Sequence, residues 1–179
     1  MTTRSAQAES SRLRILDAVI ALTAEVPLAA ITLPLVAERA GVTVQTVLRK
    51  FGSRDSLFDA AQERGSQVVI AERTVDPDDL EASLDGLMQH YERVKVSTLM
   101  LLGQESWEPR AAAITGVGKA LHRKWVEDVF AHALPPIDDV ARAEAVDLLV
   151  VATDLYTYKL LRIDRGLRLV ETRARMRRL

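Results

Sequence analysis

The chain has 179 residues, no cysteine and a formal net charge of −1. This length suffices for one large domain or two small ones, and the missing cysteine excludes disulfides and thiolate chemistry. Residues 148–152 form an unbroken apolar run as long as any in the chain, and this run is far too short to span a bilayer. We therefore expect a soluble, cytoplasmic protein that makes no contact with a membrane.

The nearly neutral total hides two regions of opposite charge. Residues 1–54 contain seven basic and four acidic residues, whereas residues 76–108 contain two basic and eight acidic ones. A basic first part and an acidic middle part suggest two different functions. Scarce aromatic residues and long segments of Ala, Leu, Val, Arg and Glu with short breaks favour a mostly helical protein.

Three helices are predicted in the first part of the chain. The first runs from about Ser10 to Ala24, where apolar residues recur at helical spacing. The second begins after the capping residue Thr32 and ends at Gly41. The third begins after another capping residue, Thr43, so only a tight turn separates the second helix from the third.

The third helix is polar and contains no acidic residue. Two short helices joined by a tight glycine turn can place the second of them in the major groove of DNA. Its outward side chains offer donors and acceptors for base edges and cations for phosphates, which a carboxylate would repel. The pattern therefore predicts a helix-turn-helix. Its small core is predicted to contain Val36, Ala40, Val42 and Val47, with Ala37 allowing the two helices to approach closely.

The stretch TLPLVAERAGVTVQTVLRKFGSRDSLFDA resembles the DNA-binding domain of the TetR family of transcriptional regulators. The resemblance covers residues 10–62 and includes the capping Thr, an apolar-Ala pair, Ala-Gly-Val-Thr, a third helix ending in Phe51 and a Ser-capped fourth helix. It departs at Leu48, where the family usually has a phosphate-contacting Tyr, and at Gln45, which replaces the usual Gly. The resemblance implies a DNA-binding domain over residues 1–56 and an effector-binding and dimerisation domain over residues 57–179.

We expect the DNA contacts on the third helix and at the starts of its neighbours. Gln45 and Thr46 are expected to read bases, whereas Lys50 and Arg54 are expected to hold phosphates. The predicted DNA-contacting residues are Thr32, Thr43, Val44, Gln45, Thr46, Leu48, Arg49, Lys50, Ser53 and Arg54. The alternative is a three-helix bundle with a solvated polar face, because capped helices and Ala/Gly turns occur in many such bundles.

Helical patterns continue to the end of the chain. A fourth helix is predicted over residues 54–73, a fifth over 80–102, and a sixth over 109–133, in one or two pieces because of two central glycines. A seventh is predicted over residues 138–162, and a short, weakly helical basic tail follows. No strand alternation is present, so we predict an all-α fold with an N-terminal three-helix helix-turn-helix domain and a C-terminal antiparallel helical domain.

The resemblance implies that the C-terminal part binds a small effector, which we expect to be hydrophobic. Such a ligand would lie in an apolar pocket with a few polar groups. The candidate ligand-binding residues are Met88, Tyr91, Trp107, His122, Trp125, Asp154 and Tyr158. For His122 and Trp125 an ordinary helix core is the alternative, and Asp154 on an apolar helix needs a partner.

The segment AVDLLVVA, residues 145–152, is apolar on nearly all sides and therefore needs cover on two faces. A core helix in a large single domain or a helix at a subunit interface would both satisfy this need. We favour a homodimer interface, because two covering layers are hard to find in so short a chain. The predicted interface residues are Val146, Leu149, Val150 and Thr153.

Nothing in the sequence indicates an enzyme. The three histidines, at positions 90, 122 and 132, form neither HExxH nor a metal-spaced pair, and GVGK at 116–119 lacks two defining residues of a phosphate loop. We expect no cofactor and no metal. The hypothesis is a homodimeric repressor that a small effector releases from a palindromic operator in double-stranded DNA. The alternatives are a helical interaction module and an activator without a small-molecule effector.

Overall fold

The computed structural model describes residues 2–73, 76–134 and 139–179, and the regular elements in these ranges are all helices. The predicted all-α fold is confirmed. The helices are α1 (Thr2–Leu22), α2 (Leu33–Ala40), α3 (Val44–Phe51), α4 (Arg54–Glu72), α5 (Leu80–Leu102), α6 (Pro109–Val129), α7 (Asp139–Thr153), α8 (Leu155–Lys159) and α9 (Leu169–Met176). A 3-10 turn precedes α2, and one π-helical turn (Leu160–Asp164) follows α8. Among the described helices, none combines the length and the apolar character that crossing a membrane requires.

The chain packs as two compact units. The first contains residues 1–68 and 96–115, and the second contains residues 69–95 and 116–179. The helices α4, α5 and α6 therefore each have one end in each unit. The boundary after residue 56 was predicted between a DNA-binding domain and an effector-binding and dimerisation domain. It does not coincide with a division between the packed units, and it stays a prediction.

The first unit has a continuous apolar core built by α1, α2, α3 and the start of α4, to which Leu101 of α5 and Ala111 of α6 also contribute. Val36, Ala37, Ala40 and Val47 are buried in it, and the partly buried Val42 packs against it. The predicted core of the helix-turn-helix is therefore confirmed. Other fully buried members are Ile15, Leu16, Leu22, Leu28, Ile31 and Leu57. Because hydrophobic burial is the main stabilising term in folding, this core fixes the positions of α1, α2 and α3.

The sixth predicted helix forms a single piece. The backbone of α6 continues through Gly116 and Gly118, and a Cβ atom at either position would meet nothing within 4 Å. The helix ends at Val129 rather than near residue 133.

The prediction of one uninterrupted helix over residues 138–162 is wrong. The chain breaks at Asp154, whose backbone is extended (φ −68°, ψ 154°) and whose carboxylate accepts a hydrogen bond from the Tyr156 N–H at 2.7 Å. Asp154 therefore caps the start of α8, as short acidic side chains commonly do. The apolar pattern of the segment hid this break, because periodicity responds poorly to a single capping residue.

Candidate functional sites

The turn between α2 and α3 is set by two threonine caps and one glycine. The Thr32 hydroxyl accepts from the Leu35 N–H and the Thr43 hydroxyl from the Thr46 N–H, so each cap satisfies a free donor at its helix start. Gly41 ends α2 in the left-handed conformation (φ 64°), which glycine adopts without steric cost. These capping predictions are confirmed, and together they fix the direction in which α3 leaves the turn.

Helix α3 buries one face and exposes the other. Val47 is fully buried, whereas Gln45, Leu48 and Arg49 are exposed. Leu48 is 40% exposed, so its apolar side chain is accessible on this face. Helix α3 contains no acidic residue and has two basic residues in its last turn. This face can therefore approach DNA phosphates without carboxylate repulsion.

Several of the predicted DNA-contacting hydroxyls also have a structural partner. The Thr43 and Thr46 hydroxyl oxygens lie 3.0 Å apart, and the Ser53 hydroxyl accepts from the Ser56 N–H at 3.0 Å. A hydroxyl is both donor and acceptor, so a capping oxygen can still donate to a phosphate. Val44 and Thr46 are partly buried and Thr32, Thr43 and Ser53 are exposed.

The two cations expected to hold phosphates lie in different environments. Lys50 is partly exposed, and its Nζ donates to the Ala8 carbonyl at 2.7 Å, which leaves further donors available. Arg54 turns inward: its guanidinium donates to the carbonyls of Leu28 and Ile31 at 2.8 and 3.0 Å. It also lies over the Phe58 ring. These bonds hold the α1–α2 connection, and the phosphate contact of Arg54 stays a prediction.

The family model for bacterial regulatory proteins of the tetR family matches residues 15–61, the segment that contains this turn. Residues 15–61 therefore form a helix-turn-helix domain of the tetR-family type. The segment is thus a DNA-binding domain of the kind found in these bacterial regulatory proteins.

Solved structures with the same fold extend the likeness to almost the whole chain. A transcriptional regulator from Rhodococcus sp. Rha1 is 19% identical, with a TM-score of 0.66 over 92% of this chain and 91% of that one. A Rhodococcus sp. protein assigned to the TetR-family transcriptional regulators is 19% identical, with a TM-score of 0.67 over 93% and 94%. A TetR regulator from Rhodococcus sp. RHA1 is 21% identical, with a TM-score of 0.52 over 94% and 93%. No curated protein matches significantly. At these identities the likeness shows the fold alone.

The second unit contains a buried cluster that includes several predicted ligand-binding residues. Tyr91, His122, Trp125 and Tyr158 are each at most 5% exposed. The Tyr91 and Tyr158 rings lie 5.3 Å apart, and the His122 and Trp125 rings stack at 5.9 Å. Met88 is also buried in this unit. We call Arg73, Tyr91, His122, Trp125, Thr153 and Tyr158 the second-unit cluster.

Arg73 was not predicted as a site residue, although it is the cation of the second-unit cluster. It follows the last residue of α4, and its Nη1 lies 3.3 Å from Nδ1 of His122. Its guanidinium also lies 5.5 Å from the centre of the Tyr91 ring. No sequence signal distinguishes this arginine from exposed ones, because its burial depends on residues about twenty and fifty positions away.

The hydrogen bonds around His122 define its protonation. A guanidinium can only donate, so Nδ1 of His122 accepts from Arg73 and the proton lies on Nε2. Nε2 then donates to the Thr153 hydroxyl at 3.1 Å, which in turn donates to the Leu149 carbonyl at 2.7 Å. Burial, with the Arg73 charge as the second cause, lowers the pKa of His122 to about 4.

His90, next to Tyr91 in α5, is also held neutral. Its Nδ1 donates to the Glu72 carboxylate at 2.9 Å. Burial is the main cause that lowers the pKa of His90 to about 4, and the Arg73 charge adds to it against the opposing effect of Glu72. The second unit therefore contains two buried histidines that resist protonation.

Two predicted ligand-binding residues lie elsewhere. Trp107 is 58% exposed and belongs to the first unit, so its assignment to the buried pocket is corrected. It lies in the turn between α5 and α6, where an apolar residue beside a helix break is not evidence of a pocket. The Asp154 carboxylate caps α8 and is only partly buried, and its charge acts on Arg73 through space.

The predicted dimer-interface residues do not share one exposed face. Val146 is 2% and Thr153 is 3% exposed, because both pack inside the second unit, and Leu149 and Val150 are half-buried. The exposed apolar residues of α7 are instead Leu148 at 72% and Val151 at 63%. The all-round apolar sequence did not show which face points inward.

Acid should destabilise the protein through His122. The pKa of His122 is about 4 in the folded protein and 6.5 ordinarily, so the unfolded chain takes up the proton first as the pH falls. Stability is therefore lost between pH 6.5 and pH 4, with about 2 kcal/mol lost between pH 7 and pH 5 from this residue. Urea unfolding midpoints of wild type and His122→Gln at pH 7, 6 and 5 measure the difference in slope.

The matched control is His132→Gln, because the His132 side chain is 70% exposed. The control should follow the wild-type pH dependence, whereas His122→Gln should show a shallower one. Equal slopes for all three proteins would contradict the burial of a neutral imidazole at position 122.

Proposed function

We propose that this protein is a homodimeric repressor of the TetR type, which binds a palindromic operator and is released from it by a small effector. One observation supports the DNA-reading role above all: α3 presents an exposed, acid-free face from a turn held by two threonine caps and Gly41. A regulator acts where the DNA is, so we place it in the cytoplasm. An activator, or a helical interaction module, remains the alternative function.

On the exposed face of α3, we expect one residue to read bases and another to bind phosphate. Gln45 is exposed in the first turn of α3, and an amide side chain can bond two adjacent groups of an adenine edge. Lys50 lies in the last turn, where a flexible ammonium group suits phosphate. Thr32, Thr43 and Ser53 cap three successive helices, whose N-terminal N–H groups also favour phosphate. Arg54 stays a proposed phosphate contact, because two of its five N–H donors bond to carbonyls of its own unit and the others are available.

Effector binding can reach the DNA-binding unit through α4 and α6. Arg110, in the first turn of α6, donates to Asp59 at 2.7 Å and to Asp55 at 3.0 Å in the first turns of α4. The opposite ends of the same helices carry residues of the second-unit cluster, with Arg73 after α4 and His122 in α6. An effector that prefers one arrangement of this cluster would shift the population of α4 positions and weaken operator binding.

The exposed apolar residues of α7 and α8 form the proposed dimer face. Leu148 and Val151 lie three residues apart on α7, and Tyr156 and Leu160 lie four residues apart in and after α8. All four are at least half exposed, and clustered exposed apolar residues mark interaction surfaces. A two-fold dimer would place two copies of α3 in successive major grooves, about 34–36 Å apart.

Variants of α3 should separate reading from holding. Gln45→Ala should lose about 1–3 kcal/mol on the operator and little on a scrambled duplex, because a base contact is lost. Lys50→Ala should weaken both duplexes similarly and reduce the slope of log affinity against log salt by about one, because one phosphate contact is lost. Fluorescence anisotropy titrations at several salt concentrations measure both effects.

Glu63→Ala is the control for this comparison, because Glu63 lies on the part of α4 beyond the turn and its loss leaves α3 unchanged. A uniform loss on both duplexes for Gln45→Ala and Lys50→Ala alike would show that α3 is only a basic surface. Absence of DNA binding by the wild type at any salt concentration would favour the interaction module.

Charges on the proposed dimer face should produce monomers. Leu148→Glu with Val151→Glu adds two carboxylates to a surface that dimerisation would bury, so the variant should sediment as a folded monomer with weakened operator affinity. Ile70→Glu, at a position 60% exposed on α4, is the control and should leave the oligomeric state unchanged. A wild type that sediments as a monomer at micromolar concentration would refute the proposed dimer.

A further inference from the structure

Arg73 is a largely buried cation without an ion-pair partner among the described residues. The adjacent carboxylate, Glu72, is bonded to His90 at 2.9 Å and to Arg93 at 2.5 Å. Asp154 accepts the Tyr156 N–H and makes no salt bridge with Arg73 within the described residues. A cation in such a position is unfavourable unless an anion or several hydrogen-bond acceptors compensate it.

Two buried N–H donors of the second-unit cluster lack acceptors within the described part of the chain. They are Nε of Arg73 and the indole Nε1 of Trp125, whose side chain is 4% exposed overall. Both residues contact His122, one by a hydrogen bond and the other by ring stacking. Buried donors are nearly always bonded in native proteins, so two in one cluster call for an acceptor.

The rest of the second-unit cluster offers apolar faces rather than further charges. The Tyr91 hydroxyl donates to the Thr153 carbonyl at 2.9 Å, and the Tyr158 hydroxyl donates to the Glu92 carboxylate. Since these hydroxyls are already bonded, the tyrosine rings present mainly hydrocarbon surface. His122 is also bonded at both nitrogens. A complementary ligand therefore combines acceptor oxygens with an apolar body.

We propose that the effector is a small organic carboxylate, whose anionic group binds Arg73 and whose apolar body lies against the aromatic rings of the second-unit cluster. This inference deepens the effector part of the proposed function and rests on it. It replaces the expectation of a merely hydrophobic effector with a monoanionic one. The guanidinium suits this group because its N–H donors match the two oxygens of a carboxylate.

Matched ligand pairs test the charge requirement without altering the protein. The probes are benzoate, phenylacetate and octanoate, each compared with its neutral primary amide, which has nearly the same shape. The full-length chain carries Trp107→Phe, so that Trp125 alone reports binding by its fluorescence. At least one carboxylate should bind about tenfold or more tightly than its amide, because only the carboxylate forms the charge-assisted bonds. Equal binding of every pair, or no binding by any carboxylate, would overturn the proposal.

Variants at Arg73 locate the anion. Arg73→Gln should remove the preference for carboxylate over amide while changing amide binding little, and Arg73→Lys should retain part of it. The control is Arg123→Gln, on α6 beside His122, because Arg123 is 45% exposed and paired with Asp147. A carboxylate preference that survives in folded Arg73→Gln would overturn the proposal.

The Asp154→Asn variant gives a second test, which can be carried out even if the Arg73 variants do not fold. Asparagine can keep the cap on α8, but it removes a negative charge that acts on Arg73 through space. Carboxylate affinity should rise by about threefold while amide affinity stays the same. An equal effect on both ligands, or no effect, would contradict an anion site at Arg73.

Operator titrations keep this inference separate from the proposed function. A carboxylate that binds through Arg73 and weakens operator affinity supports both. A carboxylate that binds through Arg73 but leaves operator affinity unchanged overturns effector release while supporting the anion site. Release of the operator by the amides as effectively as by the carboxylates overturns the anion site and supports release.

Discussion

Carboxylates repel DNA phosphates, and this repulsion limits where the first unit can place its negative charge. The acidic residues of the unit lie outside α3, and several are paired with arginines. Arg39 binds Glu25 with two hydrogen bonds of 2.5 and 2.7 Å, and Arg110 bridges Asp55 and Asp59. Exposed pairs of this kind add little to stability. Their consequence is electrostatic, because they neutralise acids near the helix-turn-helix and leave its exposed face basic.

Hydrogen bonds of charged side chains also join α4, and the residue that follows it, to α6. Near the start of α4, two carboxylates bind Arg110 of α6, and the residue after its end, Arg73, donates to His122 of α6. Side-chain hydrogen bonds between the two helices are therefore present in the first unit and again in the second. Under the proposed effector release, a ligand that draws Arg73 away from His122 would change one of these contacts. Regulation in this account needs only a shift between two helix arrangements.

Local signals in the sequence predicted the DNA-binding unit well, because caps and glycine turns act over a few residues. Thr32, Gly41 and Thr43 lie where the pattern placed them. The second unit was less predictable, since burial there depends on distant residues. In the sequence, Asp154 looked like a buried acid on an apolar helix, whereas in the structure it caps α8. The Arg54 guanidinium turns inward because it bonds to carbonyls more than twenty residues away. Which face of an apolar helix is covered is likewise a property of the fold.

The most direct test of whether α3 reads a specific two-fold operator is a selection experiment. The protein is allowed to select the fragments that it binds from genomic DNA of the source organism. The purified full-length protein is mixed with sheared genomic DNA at moderate salt, and the retained fragments are sequenced. The account predicts a shared palindrome whose half-sites are centred about one helical turn apart, roughly 34–36 Å. Fragments retained without any common two-fold motif, or no retention above background, would contradict it.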